Sequence, residues 1–209
     1  MSALDQLRIY LDECPLVAIV RGVTPADAEA IGHAVLDAGI RIIEVPLNSP
    51  DPLKSIEILA ARFGDRALIG GGTVLKVGDV ANVRASGGRL IVAPNTNTDV
   101  IAATASEGLV SMPGFFTPSE AFAAIHAGET ALKLFPAEGA SPAVLKAQLA
   151  VIPRDVPIFI VGGVSPDNMR PWKDAGAAGF GLGSGLYKPG QSAAETAEKA
   201  RAYVAGLRK

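Results

Sequence analysis

Short apolar runs recur along this chain at fairly even intervals, and several are continuous rather than alternating. Eight stand out: LVAIV (16–20), IRIIEVP (40–46), ALIG (67–70), RLIVA (89–93), LVSM (109–112), TALKLF (130–135), VPIFIV (156–161) and AGFGL (178–182). Short continuous runs of this kind predict strands buried on both faces, the pattern of a parallel sheet. Between them the pattern shifts to a helical period. PADAEAIGHAVLDAG (25–39) opens on proline, ends in glycine and carries an apolar stripe of Ala28, Ile31, Val35 and Ala38. PLKSIEILAARFG (52–64) repeats the design with Ile56, Leu59 and Phe63 on one side. Further helices are predicted over 76–88, 96–108, 117–128, 141–153, 165–176 and 191–209. One more, ALDQLRIYLDE (3–13), precedes the first strand and is expected to cover one end of the structure.

Eight strand–helix units in a chain of 209 residues predict an α/β fold, a (β/α)8 TIM barrel with an extra N-terminal helix. A doubly wound open sheet uses the same units. The barrel is favoured because the count reaches eight and no GxGxxG opens the first unit. No Pro/Gly-rich linker or charge run divides the chain, so residues 1–209 are expected to form one domain.

Composition narrows the function classes. With 19 basic and 21 acidic residues the net charge is −2, which gives no reason to expect a nucleic-acid partner. Cys14 is the single cysteine, so no disulfide framework is available. The N-terminus lacks a basic and apolar signal segment, and no run reaches the roughly 18 apolar residues of a membrane span. The expectation is a cytoplasmic protein with no membrane partner.

In a barrel, chemistry gathers at the C-terminal ends of the strands and in the loops beyond them. Three charges fall in or directly after apolar strands: Arg21, Glu44 and Lys133. Buried without partners they would be costly, so mutual pairing or a ligand must offset them. A structural salt-bridge network is the plain alternative, but an apolar core would serve stability better, and a functional cluster is favoured. Burial lowers a lysine's pKa and frees the amine to attack a ketone and form a Schiff base. Glu44 is then a general base for the hydroxyl of the cleaved carbon, and Arg21 a fork of donors for a substrate carboxylate. Thr73 adds a hydroxyl. Gly162-Gly163 after strand seven and Gly183-Ser184-Gly185 after strand eight stand where barrels often bind phosphate. The chemistry expected is a Schiff-base aldolase acting on a phosphorylated keto acid, with no metal and no other cofactor.

The segments VAIVRG (17–22), IEVPLNSP (43–50), IGGGTVL (69–75), IVAPNTN (91–97), PGFFTPSEA (113–121), ALKLFPAE (131–138), VGGVSPDN (161–168) and GLGSGLY (181–187) together resemble the KDPG/KHG family of class I aldolases, which act on 2-keto-3-deoxy-6-phospho sugar acids. The resemblance spans nearly the whole chain. It implies a homotrimer that forms pyruvate and glyceraldehyde 3-phosphate. Lys133 is then the Schiff-base residue and Glu44 the general acid/base, working through a water. It places Arg21 and Thr73 on the pyruvate portion, Pro94 and Phe135 in the pocket wall, and the phosphate on the backbone around Gly162, Gly163, Gly183 and Ser184. Gluconate-type members carry a threonine where this chain has Val161, whereas galactonate-type members carry an aliphatic residue and share PLNSP and GLGSGLY. The galactonate-type substrate is therefore expected to be preferred, with some cleavage of its C4 epimer. The loop PAE (136–138) departs from members with serines there, with no expected effect on the chemistry.

Rival readings rest on less. A metal-dependent aldolase needs clustered histidines and carboxylates, but His33 and His126 both fall on helices, the first opposite the apolar stripe. A phosphosugar isomerase or epimerase would use Glu44 as base and form no covalent adduct with Lys133. Cys14 is read as a partly buried thiol, Trp172 as packing, and Asn97 or Thr98 as a helix cap. GGGTVLK (70–76) lacks Walker spacing, so no nucleotide site is implied.

Overall fold

A computed structural model describes residues 1–208. Nine strand segments lie in one sheet: β1 (Leu16–Ile19), β2 (Ile42–Pro46), β3 (Leu68–Gly72), β4 (Leu90–Val92), β5 (Val110–Met112), β6 (Gly114–Phe115), β7 (Leu132–Leu134), β8 (Ile158–Val161) and β9 (Gly179–Leu182). Their order is β5-β4-β3-β2-β1-β9-β8-β7-β6, and every pairing is parallel. The order begins and ends on neighbours in sequence. β5 and β6 are two halves of one barrel strand, divided by Pro113.

The fifth apolar run therefore does not stop at Met112, as the sequence led us to expect; it resumes at Gly114. Proline has no N–H to donate, which breaks the ladder at that residue. Its carbonyl still serves: Lys133 N donates to Pro113 O at 2.9 Å, while Ala93 N donates to Met112 O at 3.2 Å on the other side. The first half of the strand is thus tied to β4 and the second to β7, and the (β/α)8 barrel closes through the break.

The helices are α1 (Ala3–Glu13), α2 (Pro25–Asp37), α3 (Pro52–Phe63), α4 (Val77–Ala85), α5 (Thr98–Ser106), α6 (Pro118–His126), α7 (Pro142–Gln148), α8 (Met169–Ala175) and α9 (Ala193–Gly206). Their starts follow from capping chemistry. Thr24, Asn97, Ser141 and Ser192 each accept a backbone N–H of the first turn, and Thr117 forms a capping box with Glu120. Proline stands in the first turn of α2, α3, α6 and α7.

Most of the expected helices come out shorter, as three cases show. α7 ends at Gln148, and Ala38 of the expected α2 stripe is the C-cap rather than a core position. α8 begins only at Met169 because Asn168 is engaged elsewhere. Its Oδ1 accepts from Ser165 N, and its Nδ2 donates to Gly163 O, each at 2.8 Å. The side chain shapes the loop after β8 before the helix can start. Lys209 of the last predicted helix lies outside the described residues.

The core divides into two apolar clusters, and strand alternation decides which residue joins which. Ala18, Ile43, Val45, Ile69, Ile91, Leu132, Leu134, Ile160, Phe180 and Leu182 face outward and pack with the helices. Val17, Ile42, Leu68, Leu90, Val92, Val110, Met112, Ala131 and Phe159 face inward and fill the barrel. Ala3, Leu7 and Tyr10 of α1 belong to this inner cluster, so α1 closes the N-terminal end of the barrel as expected. Gln6 reinforces the closure: its Nε2 donates to Gly64 O, and its Oε1 accepts from Arg89. Trp172 belongs to the outer core, as expected. His33 is half-buried with its ring edge-on to Phe63 at 4.8 Å, which places it against α3 rather than clear of the packed face.

Candidate active site

One step of two residues beyond the inner apolar layer, the barrel changes character. Ile42 is followed on the same face by Glu44, Ala131 by Lys133, Phe159 by Val161 and Val17 by Ile19. These residues line a cavity of about 450 Å³ at the C-terminal mouth. Arg21, Thr73, Pro94, Phe135, Gly162, Gly163, Gly183 and Ser184 line it too. Every site residue read from the sequence is therefore brought to one cavity.

Glu44 is 2% exposed and Lys133 is 7% exposed. No ion pair within 4.0 Å joins them or joins Glu44 to Arg21 among the described residues, so of the two offsets expected, mutual pairing or a ligand, direct pairing is not found. Glu44 Oε2 is buried with no hydrogen-bond partner. Burial raises the Glu44 carboxyl to about 7, an effect partly offset by the positive charges of Lys133 and Arg21. Burial also pushes the Lys133 ammonium below the usual lysine range; Glu44 opposes this and Arg21 adds to it. Lys133 Nζ lies 4.7 Å from the centroid of the Phe135 ring. The result is an amine nearer to its neutral form and a carboxylate nearer to its protonated form than either would be in water. They sit on β7 and β2, which face each other across the barrel.

The room for Glu44 is made by Gly72 on the adjacent strand, where a Cβ would fall 1.7 Å from Glu44 Oε2. The next residue, Thr73, has φ 54°, a left-handed conformation that costs a β-branched residue roughly 1–3 kcal/mol. That turn carries the hydroxyl to Arg21, whose Nη2 donates to Thr73 Oγ1 at 3.5 Å. Arg21 Nη1 donates to Asn48 Oδ1. Arg21 is exposed, not buried as its place after an apolar strand suggested. It lies one residue past Val20, where the chain has left the barrel wall, and its charge is held at the rim by Asn48 and Thr73.

At the far end of the cavity Gly162 (φ 114°) and Gly163 (φ 64°) turn the chain after β8. The N–H groups of Gly162, Gly163 and Ser184 donate to no backbone acceptor among the described residues. Backbone N–H groups left without an acceptor at glycine turns are groups that an anion can use. Asn97 is the cap of α5, with Oδ1 accepting from Asp99 and Val100. Cys14 is buried, and burial raises its thiol pKa. Among the described residues no group of three or more His, Cys, Asp or Glu is placed to hold a metal ion.

Sequence reasoning passed over three neighbours of the site. Asn48 follows β2 and Arg21 follows β1, so a pair 27 residues apart carries no local sequence signal. Lys188 lines the cavity beside Ser184, and no pattern marked it. Glu138 belongs to the loop expected to have no effect on the chemistry, yet it lines the cavity against Gly162.

A parallel (β/α)8 barrel with a desolvated lysine and carboxylate inside its C-terminal mouth has the groups that class I aldolase chemistry needs. The chain belongs to the KDPG and KHG aldolase family, whose pattern matches residues 8–200. It is 48% identical over 194 residues to the 2-dehydro-3-deoxy-6-phosphogalactonate aldolase of Escherichia coli K12, covering 93% of this chain and 95% of that protein. It is 45% identical over 202 residues to a probable 2-dehydro-3-deoxy-6-phosphogalactonate aldolase of Rhizobium meliloti, covering 97% of this chain and 95% of the relative. A solved structure described as native KDPGal superposes with a TM-score of 0.92 at 47% identity, covering 94% of this chain and 95% of that one. Among the described residues, no helix is long and apolar enough to cross a membrane.

Proposed function

We propose that this chain is a Schiff-base aldolase that cleaves 2-dehydro-3-deoxy-6-phospho-D-galactonate to pyruvate and D-glyceraldehyde 3-phosphate. The observation that carries the reading is the buried pair Lys133 and Glu44, facing one cavity with both ionisations displaced toward pH 7. The relatives in this family with the same named substrate support its identity.

The neutral Lys133 amine attacks the C2 ketone, and loss of water leaves a protonated iminium. Glu44 removes the proton of the C4 hydroxyl, directly or through one water. The C3–C4 electron pair then flows to the iminium nitrogen, giving an enamine and releasing the phosphorylated aldehyde. Protonated Glu44 returns its proton to C3, and water frees pyruvate from Lys133. Arg21 and Thr73 hold the substrate carboxylate at the rim, with Pro94 and Phe135 as apolar walls. The phosphate takes the free N–H groups near Gly162, Gly163, Gly183 and Ser184. Val161 meets the C4 region with methyl groups, which favours the galacto over the gluco configuration.

Borohydride trapping in the presence of pyruvate tests the mechanism: a stable adduct on Lys133 is expected, and Lys133→Ala should lose both adduct and turnover. No adduct on the parent protein would leave the isomerase chemistry in its place. Parallel assays of the galacto and gluco substrates, with pyruvate read by lactate dehydrogenase, test the epimer. Cleavage of both with galacto preferred is expected, and a gluco preference would overturn the role given to Val161.

The same proposal takes residues 1–209 as one domain, since a single sheet runs from β1 to β9 and α9 packs on α2. It takes the assembly as a homotrimer working in the cytoplasm. Exposed Leu75, Val77, Phe116 and Val144 offer apolar surface for such contacts, and sedimentation equilibrium should return three copies.

A further inference from the structure

The carboxylate of Glu138 has no part in the reaction above, yet it touches the surface assigned to the phosphate. Glu138 lies in the 3-10 turn Ala137–Gly139 that follows β7. Its side chain crosses to the loop after β8. A Cβ on Gly162 would fall 2.0 Å from Glu138 Oε2, and one on Gly163 would fall 3.0 Å from Glu138 Cγ. The carboxylate thus rests on a face that exists only because both residues lack side chains. Glu138 is exposed. No hydrogen bond or ion pair holds its carboxylate there among the described residues. An anion lies in van der Waals contact with the glycines of an anion site and is bound to none of their N–H groups.

A phosphate on the N–H groups of Gly162 and Gly163 would bring a second negative charge to within a few ångströms of this carboxylate. Like charges that close oppose each other, least where water screens them and most where the cavity excludes it. Glu138 is exposed and no hydrogen bond or ion pair anchors its carboxylate among the described residues. Phosphate binding and this resting position therefore oppose each other through charge.

We infer that Glu138 is a specificity-determining residue of the distal subsite: an anion that competes with the substrate's phosphate for Gly162–Gly163 and sets how tightly that group is held. The inference rests on the proposed placement of the phosphate. It gives the enzyme a reason to release a phosphorylated aldehyde readily, and it makes the site resist occupation by free inorganic phosphate.

The test is Glu138→Gln, which keeps the shape and removes the charge. Inorganic phosphate is titrated calorimetrically into the parent and the variant at low ionic strength and again at high salt. The variant is expected to bind phosphate roughly five- to tenfold more tightly at low salt, the lower range for charges open to water, with the gap closing as salt rises. KM for the phosphorylated substrate should fall by a similar factor without a rise in kcat. Unchanged or weaker phosphate binding in Glu138→Gln overturns the inference, as does absence of phosphate binding in both proteins. Failure of the aldolase reading is seen separately, as loss of pyruvate trapping on Lys133 in the parent protein.

Discussion

Gly72→Ala should separate the chemistry of this barrel from its folding. Gly72 closes β3 beside Glu44, and an added Cβ would sit 1.7 Å from Glu44 Oε2 and 2.3 Å from its Cδ. To reach van der Waals contact the carboxylate must retreat by roughly 1.5–2 Å. A general base displaced by about 1 Å can lose 10²-fold in rate, because the near-attack geometry is lost. The expected result is kcat lower by about two orders of magnitude, measured by lactate dehydrogenase coupling. Trapping of pyruvate by borohydride should persist, since Lys133 is on the opposite wall. Gly72 does not have positive φ, so alanine adds no backbone strain and Tm should change little. Gly70→Ala is the contrasting case. Its Cβ would fall 1.9 Å from the Leu90 backbone oxygen, an atom of the neighbouring strand that cannot yield, so that variant should lose the fold itself. Near-parental kcat in Gly72→Ala would refute the claim that the position of the Glu44 carboxylate sets the rate.

Three other outcomes follow from the same geometry. Glu44 is raised from 4.5 to about 7 in the folded chain, so between those pH values the folded state keeps a proton that the unfolded chain has lost. Stability must then fall as pH rises through that window and level off above 7, by roughly 3 kcal/mol in all. Glu44→Gln should therefore be inactive yet more stable than the parent at pH 8, with the advantage shrinking toward pH 5 in urea melts; an equal advantage at both pH values would contradict the burial argument. Asn48→Ala releases one side of the Arg21 guanidinium and should raise KM severalfold with kcat less affected; an effect on kcat alone would place Asn48 elsewhere in the cycle. Val161→Thr adds a hydroxyl at the wall near C4 and should move the galacto-to-gluco ratio of kcat/KM by roughly tenfold toward gluco, which paired assays of the two epimers would show or deny.

What the sequence made legible is what strand periodicity controls. Lys133 and Glu44 each lie two residues beyond an inward apolar neighbour, Ala131 and Ile42, so their direction follows from alternation once the strands are recognised. Arg21 lies just past the end of β1, where alternation no longer applies, and its exposure depends on Asn48 and Thr73 from two other loops. The break at Pro113 was hidden for a related reason. A proline reads as a strand end because it cannot donate, but at that point the barrel needs only its carbonyl, which Lys133 N uses. Glu138 was hidden most completely, because its contact is with a loop more than twenty residues away and has no local pattern.

These cases share a physical cause. Alternation is a backbone property, and a short-range code can carry it. The rim is made by side chains that leave separate loops and meet only when the barrel closes. The strand residues Lys133 and Glu44 are therefore fixed by the fold, whereas Asn48 and Glu138, to which we assign affinity, sit in loops where a single substitution need not disturb the barrel. The rim is accordingly where this chain should differ functionally from other members of its family, and the loop 136–138 is the first place to look for such a difference.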